Sequence, residues 1–280
     1  MFVHYNMSST TEKNLIIIDG SYFVFFRYYA IIAWWKIAKK EPSLPENPYE
    51  SPEFIDCFKR TFIKKIQEIA KKHKMKNPTY IVGKDCPRRD IWRNDFIDEY
   101  KANRDYSNFY GKPFFKMAYD ELFKAAGVEH ILYHPKLEAD DGIALFSRKL
   151  LEKNNNVNII IITADHDYMQ LLDENLKIYT LKHKPLRTEK NSSGNAKCDL
   201  FCKIILGDKS DNIPRVFKRC GKKTAIQLWD DKKSLQKRFL KEDCIKIYKR
   251  NKKIIDFNEI PLELKEEFHQ THESIINLFI

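Results

Sequence analysis

The sequence lacks the long apolar run that a membrane-spanning helix requires. Its most apolar window, residues 22–35, is only about fourteen residues long and contains Arg27, whereas a spanning helix needs roughly twenty apolar residues. Residues 1–14 are polar and have no apolar core of the kind found in signal peptides. We therefore expect an intracellular protein with no membrane partner, and we interpret residues 22–35 as part of a buried helix.

The cysteine pattern excludes two kinds of scaffold. Six cysteines in 280 residues, without a secretion signal, do not indicate a disulfide framework. Cys198 and Cys202 have the spacing of half a zinc site, but no second close pair completes it. We interpret both as packing residues on one face of a helix.

Charge, in contrast, is abundant and unbalanced. The chain has 50 Lys and Arg residues against 39 Asp and Glu residues, which gives a net charge of +11. A basic excess favours a polyanionic partner, nucleic acid before membrane. Because this excess is spread along the chain, it does not identify the partner by itself.

Short apolar runs alternate with helical patterns over the first part of the chain. This alternation predicts an α/β fold with a largely parallel, twisted sheet flanked by helices on both sides. Beyond residue 197 only short, lysine-rich helical segments are predicted, so we divide the chain into a domain at 1–200 and a small helical domain at 201–280. The predicted strands are 15–18, 79–82, 128–132, 159–162 and 176–181. The predicted helices are 22–38, 54–74, 114–126 and 138–153.

Acidic residues follow three of these predicted strands. Because the carboxyl ends of neighbouring parallel strands meet at one edge of a sheet, we expect the three carboxylates to lie close together. Further carboxylates share the first turn of the helix predicted from residue 138. The acidic residues of this group are Asp19, Asp85, Glu138, Asp140, Asp141, Asp165 and Asp167.

Such a group of carboxylates requires cations. Two unit charges about 4 Å apart repel by roughly 4 kcal/mol at an effective dielectric constant near 20. Ligands that are all oxygen suit Mg²⁺ or Mn²⁺ rather than zinc. In a basic protein, two such ions are what metal-assisted phosphodiester hydrolysis requires. Each aspartate taken alone has another explanation, as a helix cap or turn residue, but their joint placement after three strands favours the metal site.

Four motifs resemble, in their order along the chain, those of the flap endonuclease and 5′→3′ exonuclease family. They are Ile18-Asp19-Gly20, Glu138-Ala139-Asp140-Asp141, Thr163-Ala164-Asp165-His166-Asp167, and Gly207-Asp208-Lys209-Ser210-Asp211-Asn212-Ile213-Pro214. The similarity extends from about residue 15 to residue 230, and the segment 85–104 is similar to the bacteriophage RNase H type.

The resemblance implies a PIN-like nuclease domain, an arch region at about residues 86–114, and a helix–three-turn–helix module within 201–280. It also implies two Mg²⁺ ions, with Mn²⁺ as an alternative, and an additional K⁺ at the helix–three-turn–helix module. The residues that match the first metal group are Asp19, Asp85, Glu138, Asp140 and Asp141. The residues that match the second metal group are Asp165, Asp167, Asp208 and Asp211.

Basic residues surround this expected site. Read as a helix, the segment 89–104 has its cations on about one face, where they could hold a phosphate, or form a solvated charged face. These cations are Arg89, Arg93, Lys101 and Arg104, and the resemblance implies phosphate contact and a catalytic role for Lys101 and Arg104. Tyr100 either stacks on unpaired bases or packs at the base of the arch. Expected contacts with duplex phosphates come from Lys209, Lys218, Lys222, Lys223 and the backbone amides near Thr224.

Two departures from the family pattern stand out. The lysine of its usual Gly-Asp-Lys-Asp motif is replaced by His166, although both aspartates remain. The family's Gly-hydrophobic-Gly turn is replaced by Arg219-Cys220-Gly221. If the first turn position requires a positive φ, Arg219 costs on the order of 1 kcal/mol there.

The resemblance implies a structure-specific 5′ nuclease that acts on DNA flaps or 5′ ends during replication, repair or recombination. The expected partners are branched or 5′-ended DNA and RNA/DNA hybrids. We expect a monomer and find no clamp-binding tail. The expected location is a nuclear or cytoplasmic replication compartment of a cell or virus. One alternative is a PIN-type ribonuclease on single-stranded RNA, against which the helix–three-turn–helix segment argues, or an RNase H-like primer remover. Another is a non-catalytic branched-DNA-binding protein, against which the nine matched acids argue.

Overall fold

The computed structural model describes residues 13–38, 43–105, 107 and 109–280. Its five strands form one sheet in the order β3-β2-β1-β4-β5, and every neighbouring pair is parallel. The predicted fold class, a parallel sheet flanked by helices, is therefore confirmed. The strands are β1 (Lys13–Asp19), β2 (Thr79–Gly83), β3 (Val128–Leu132), β4 (Val157–Ile162) and β5 (Leu176–Tyr179).

The apolar runs form the centre of the sheet because both of their faces are buried. In β1, Leu15 and Ile17 point into one hydrophobic core, whereas Ile16 and Ile18 point into the other. This alternation follows from the two-residue period of a strand. Ile18 pairs in register with Ile162 of β4. The residues that follow β1 and β4 consequently leave the sheet at the same edge.

Helices cover both faces of the sheet. Helices α1 to α4 lie against the Ile16 face, and α5 lies against the Leu15 face. No helix among the described residues is both long and apolar enough to span a membrane. The helices that cover the sheet are α1 (Gly20–Ala38), α2 (Pro52–His73), α3 (Lys112–Met117), α4 (Phe123–Ala125) and α5 (Ala139–Lys153). A π-helical turn at Ala118–Leu122 lies between α3 and α4.

A third core belongs to the helices that follow the sheet. Phe201, Phe217 and Leu228 are buried together, as are Cys198 and Cys202, which confirms that these cysteines are packing residues. The predicted boundary near residue 200 lies inside the first of these helices. They are α6 (Ala196–Leu206), α7 (Lys222–Asp230), α8 (Lys232–Glu242) and α9 (Ile245–Ile255).

The last two helices return to the sheet. Phe268 of α10 (Leu262–Thr271) and Ile276 of α11 (Glu273–Asn277) are buried in the same core as Leu15 and Ile17. The expected assignment of all of 201–280 to one separate module therefore needs correction from Phe257 onward, because these apolar side chains are buried against α5 and the sheet.

His272 anchors this C-terminal segment as a neutral side chain, and we expect stability to depend on its protonation. Its ring is 4 % exposed, Nε2 accepts a hydrogen bond from the Tyr133 N–H at 3.3 Å, and Nδ1 donates to the Phe268 carbonyl. Burial lowers the pKa of His272 below its usual value of 6.5. Below that pH the unfolded chain binds a proton that the folded chain does not bind, so the free energy of unfolding falls as pH falls.

Denaturant unfolding at pH 7.5 and 5.5 measures this effect. We expect His272 to account for a loss of ~1 kcal/mol or less between the two conditions. The variant His272→Gln cannot titrate and should lose less stability over the same interval. Equal losses in the variant and the wild type would exclude His272 as a source of the pH dependence.

Candidate metal and nucleic-acid site

The carboxylates of Asp19, Asp85 and Asp165 meet at the C-terminal edge of the sheet, as the sequence predicts. Asp19 ends β1 and accepts hydrogen bonds from the Tyr22 N–H at 3.0 Å and the Thr163 hydroxyl at 3.1 Å. Asp85 lies two residues beyond β2 and accepts from the Ala139 N–H at 2.8 Å. The backbone and hydroxyl donors thus fix the carboxylates in place without neutralising their charge.

The electrostatic consequence is largest at Asp19. Burial, the neighbouring Asp85 and the more distant Asp165 together raise the pKa of Asp19 to about 7. Burial and Asp141 similarly raise the pKa of Asp140 well above its usual value. Without a cation, these groups are therefore forced toward their protonated forms.

Among the described residues, two sets of acidic oxygens have the spacing of metal ligands. One carboxylate oxygen from each member of a set lies within 4.8 Å of the others. The sets contain no histidine or cysteine, so they fit a hard divalent cation such as Mg²⁺ or Mn²⁺. The first set is Glu138, Asp140 and Asp141, and the second is Asp140, Asp165 and Asp167. We refer to Asp19, Asp85, Asp140, Asp165 and Asp167 as the acid cage.

Asp141 lies within ligand distance of Glu138 and Asp140, and it is also the buried partner of Arg93. Its side chain is 0 % exposed. One of its oxygens accepts from Arg93 at 2.6 Å and from the Trp92 indole N–H at 2.9 Å, and the other accepts from Arg93 at 2.7 Å. Asp141 is therefore the buried counter-ion of Arg93, and its role as a metal ligand stays a prediction.

Arg93 and Tyr100 need correction, because neither is available to nucleic acid. Arg93 is 3 % exposed and donates to Glu138 and Asp141, and its Nε donates to the Ile254 carbonyl at 2.8 Å. Tyr100 is 6 % exposed and its hydroxyl donates to Glu138 at 2.9 Å. Tyr100 therefore packs at the base of the arch, which was the other prediction for it.

The segment 89–104 is not the helix that was expected from its charge spacing. It forms short 3₁₀ turns at Arg88–Asp90 and Trp92–Asp95, followed by further turns. Lys101 has a φ of 55°, in the left-handed region, and its N–H donates to the Asp211 carbonyl at 3.0 Å. The segment does not form a helix because Arg93 and Tyr100 are buried against the carboxylates at the start of α5. The spacing of charges along the sequence gives no information about these partners.

Lys101 and Arg104 lie beside the acids, where the resemblance placed them. The Lys101 ammonium forms ion pairs with Glu138 and, at 3.7 Å, with Asp211. Arg104 also pairs with Asp211, and its side chain is 39 % exposed. Burial opposes ionisation of Glu138, but Lys101 and Arg93 outweigh it and lower the pKa of Glu138. The predicted catalytic role of the two cations stays a prediction, as does nucleic-acid contact by the exposed Arg89.

Two residues at the site were missed by the sequence reasoning. The Ser21 hydroxyl donates to Asp85, and its place just after Asp19-Gly20 could have indicated this. The Lys203 ammonium lies between Asp167 and Asp208, at 3.3 Å from an oxygen of Asp208. No local pattern predicts Lys203, because its position depends on how α6 packs against the turn that contains Asp167.

The loop between α6 and α7 brings Asp208 and Asp211 to the site. Gly207 has a φ of 65°, and a Cβ atom there would lie 2.4 Å from the Ile213 carbonyl oxygen, so only glycine fits. Arg219 has a φ of 50°, the positive value that the sequence comparison anticipated. The predicted phosphate contacts lie along this loop and the first turn of α7, with Lys209, Lys218 and Lys223 exposed and Lys222 and Thr224 half-buried. These contacts stay predictions.

A cavity of about 720 Å³ connects the acids with this loop. Its lining includes the acidic residues Asp165, Asp167 and Asp208 and the basic residues Lys190, Lys203 and Lys222. A space of this size, lined by side chains of both charges, is large enough for metal ions and a phosphate-bearing ligand.

Comparison with known proteins agrees with this geometry. The family model for the 5′-3′ exonuclease, N-terminal resolvase-like domain, matches residues 14–198. Ribonuclease H of Enterobacteria phage T4 is 31 % identical over 199 residues, which are 63 % of this chain and 64 % of that protein. The 5′-3′ exonuclease of Buchnera aphidicola subsp. Acyrthosiphon pisum is 29 % identical over 230 residues, which are 79 % of this chain and 72 % of that protein.

Solved structures show the same fold. The T5 D15 protein co-crystallised with metal ions superimposes with a TM-score of 0.64 and 16 % identity, over 94 % of this chain and 99 % of that one. The bacteriophage T5 D15 flap endonuclease, in a pseudo-enzyme–product complex with DNA and metal ions, gives a TM-score of 0.63 and 17 % identity, over 95 % and 100 %. At this level of identity the agreement concerns the fold, and it confirms the predicted PIN-like architecture.

Proposed function

The chain belongs to the 5′-3′ exonuclease family, and on this premise we propose that it is a structure-specific 5′ nuclease that hydrolyses DNA at flaps or 5′ ends. The observation that carries the proposal is the convergence of Asp19, Asp85 and Asp165 beside Lys101 and Arg104. Mg²⁺ is the proposed ion, with Mn²⁺ as a substitute, and K⁺ is proposed as an additional ion at the α6–α7 loop. We propose that the protein acts as a monomer.

The residues of the site have different roles in this proposal. The acid cage holds the divalent ions, which supply an activated water and stabilise the leaving oxygen when bound. Lys101 and Arg104 contact the scissile phosphate and stabilise its developing charge. Arg93 and Asp141 do not touch substrate; they fix the start of α5, and with it Asp140. No serine or cysteine nucleophile is required.

A panel of 5′-labelled substrates tests the proposal. Flap, nicked, single-stranded and RNA/DNA hybrid substrates are incubated with Mg²⁺ or with a chelator. We expect cleavage of flap or 5′-ended DNA that requires the metal. The variant Asp165→Asn should bind the flap substrate and fail to cleave it, because it lacks one cage carboxylate but keeps the basic surface. Cleavage that persists in chelator would contradict the metal mechanism, and binding without any cleavage by the wild type would favour the non-catalytic alternative.

A second candidate activity is removal of RNA from RNA/DNA hybrids. The observation that favours it is the 31 % identity with a phage protein named Ribonuclease H. The hybrid substrate of the same panel distinguishes the two, because a primer remover cleaves the RNA strand of the hybrid faster than the corresponding DNA.

Exposed lysines near α7 should make duplex binding strongly dependent on salt. Lys223 lies exposed in the first turn of α7. If it contacts one phosphate, Lys223→Ala should lower affinity for duplexes of every sequence and reduce the slope of log K against log salt by about 1. Fluorescence anisotropy at several salt concentrations measures that slope. Lys249→Ala, on an exposed turn of α9, is the control, and an equal change in both variants would argue against a specific contact.

A further inference from the structure

Tyr168 is a buried polar residue that the proposed mechanism does not use. It follows Asp167 directly, in the 3₁₀ turn His166–Leu171. Its side chain is 0 % exposed and packs edge-on against Phe257, with ring centroids 6.4 Å apart. The Tyr168 hydroxyl has no hydrogen-bond partner among the described residues. An unpaired hydroxyl at such depth is costly and therefore calls for a physical explanation.

The surroundings of the phenol are acidic. Burial raises the pKa of Tyr168 well above its usual value, and the nearby carboxylates of Asp19, Asp140, Asp165 and Asp85 raise it further. All four carboxylates belong to the acid cage. A phenol hydroxyl can act as a hydrogen-bond donor to carboxylate oxygens, which are strong acceptors.

The chain around Tyr168 holds its ring in place. Thr163 is buried and donates to Asp19, and the Asp165 side chain accepts from the Asp167 N–H at 2.9 Å, which closes the turn. Gln170 ties the other end of the turn to α9, because its amide donates to the Ile255 carbonyl at 2.9 Å. With the backbone held on both sides, the ring has a defined position directly after Asp167 of the acid cage.

We propose that Tyr168 is a positioning residue of the metal site, whose hydroxyl donates a hydrogen bond to a carboxylate of the acid cage when the cage holds divalent cations. The inference rests on the proposed function, since it assumes that the cage binds such ions. Donors of this kind orient metal ligands, and their loss typically lowers metal affinity by 10-fold to 100-fold.

The variant Tyr168→Phe tests the inference because it removes one oxygen atom and keeps the ring. We expect the affinity for Mn²⁺, measured by calorimetry, to fall about 10-fold. In chelator we expect the variant to unfold at the same denaturant concentration as the wild type or a higher one, because the hydroxyl has no partner to lose. A purely structural role would give the opposite result, with lower stability in chelator and unchanged ion affinity.

Tyr133→Phe is the matched control, because Tyr133 is 38 % exposed and follows β3, which carries no residue of the acid cage. Its Mn²⁺ affinity should equal that of the wild type. Unchanged affinity in Tyr168→Phe, with normal binding by the wild type, would overturn this inference alone. If the wild type binds no Mn²⁺, both the inference and the proposed metal mechanism fail.

Discussion

Replacing Asp19 with asparagine is expected to abolish metal-dependent cleavage while making the metal-free protein more stable. Asp19 lies at the end of the central strand β1, between Asp85 and Asp165, and has a pKa raised to about 7 by burial and these two neighbours. Asparagine keeps the shape and an oxygen for the Tyr22 N–H, but it removes the charge. The repulsion within the cage decreases, and so does the attraction for a divalent cation.

The two effects have different sizes and separate measurements. We expect the rate of cleavage to fall by about 10²-fold or more, because the metal contributes several kcal/mol to transition-state stabilisation. We expect the free energy of unfolding in chelator to rise by roughly 1–3 kcal/mol near pH 8, where the wild-type carboxylate is ionised at a cost. Single-turnover cleavage and denaturant unfolding measure these quantities.

Asp98→Asn is the control for Asp19→Asn, because Asp98 is exposed in the arch region. It should change neither cleavage nor stability by more than the usual effect of a surface substitution, about 0.5 kcal/mol. A loss of stability in Asp19→Asn would mean that the carboxylate is well solvated or paired, and the account of the acid cage given above would then be wrong.

The variant Arg93→Met should lose roughly 3–5 kcal/mol of stability, the typical cost of breaking a buried ion pair from one side. Arg93 is 3 % exposed, and its partners Glu138 and Asp141 are 6 % and 0 % exposed. Methionine fills much of the volume but leaves Asp141 without its principal donor and Glu138 with only Lys101 and Tyr100. The Ile254 carbonyl at the end of α9 also loses its hydrogen bond.

Denaturant unfolding of Arg93→Met beside Arg89→Met checks this expectation. Arg89 lies four residues earlier in the same segment, and its side chain is 88 % exposed. Its replacement should change stability by less than about 0.5 kcal/mol. The double variant Arg93→Met/Asp141→Asn should be less destabilised than the sum of the two single changes, because the buried charge left behind is smaller. Additive losses would show that the two side chains do not interact energetically.

The sequence predicted the sheet and the acids at its edge for one reason. A strand buried on both faces is recognisable from its own residues, and a carboxylate just after it can only leave at the strand's C-terminal end. Asp19, Asp85 and Asp165 needed no further information once the strands were taken as parallel neighbours. In the structure β1 lies between β2 and β4, so the strands that precede these three acids are neighbours.

The segment 89–104 was harder to predict because its structure depends on residues far along the chain. Arg93 was predicted to face nucleic acid, yet it is held by Asp141 and Ile254, which are 48 and 161 positions away. Charge spacing within the segment carries no information about those partners. The same limitation explains why Lys203 was missed.

The sequence by itself determined the strands, the order of the motifs, and the set of acids that a divalent cation could bind. Only the tertiary structure decided which donors each acid meets. Asp141 accepts hydrogen bonds from the buried Arg93, whereas the acid cage accepts mainly from backbone and hydroxyl donors. It also decided that the Tyr168 hydroxyl is buried without a hydrogen-bond partner among the described residues and that α10 and α11 return to the sheet. The physical reason is that local hydrophobic periodicity fixes where a strand ends. The partners of a long charged side chain, in contrast, depend on which groups lie near it after the helices and strands have packed.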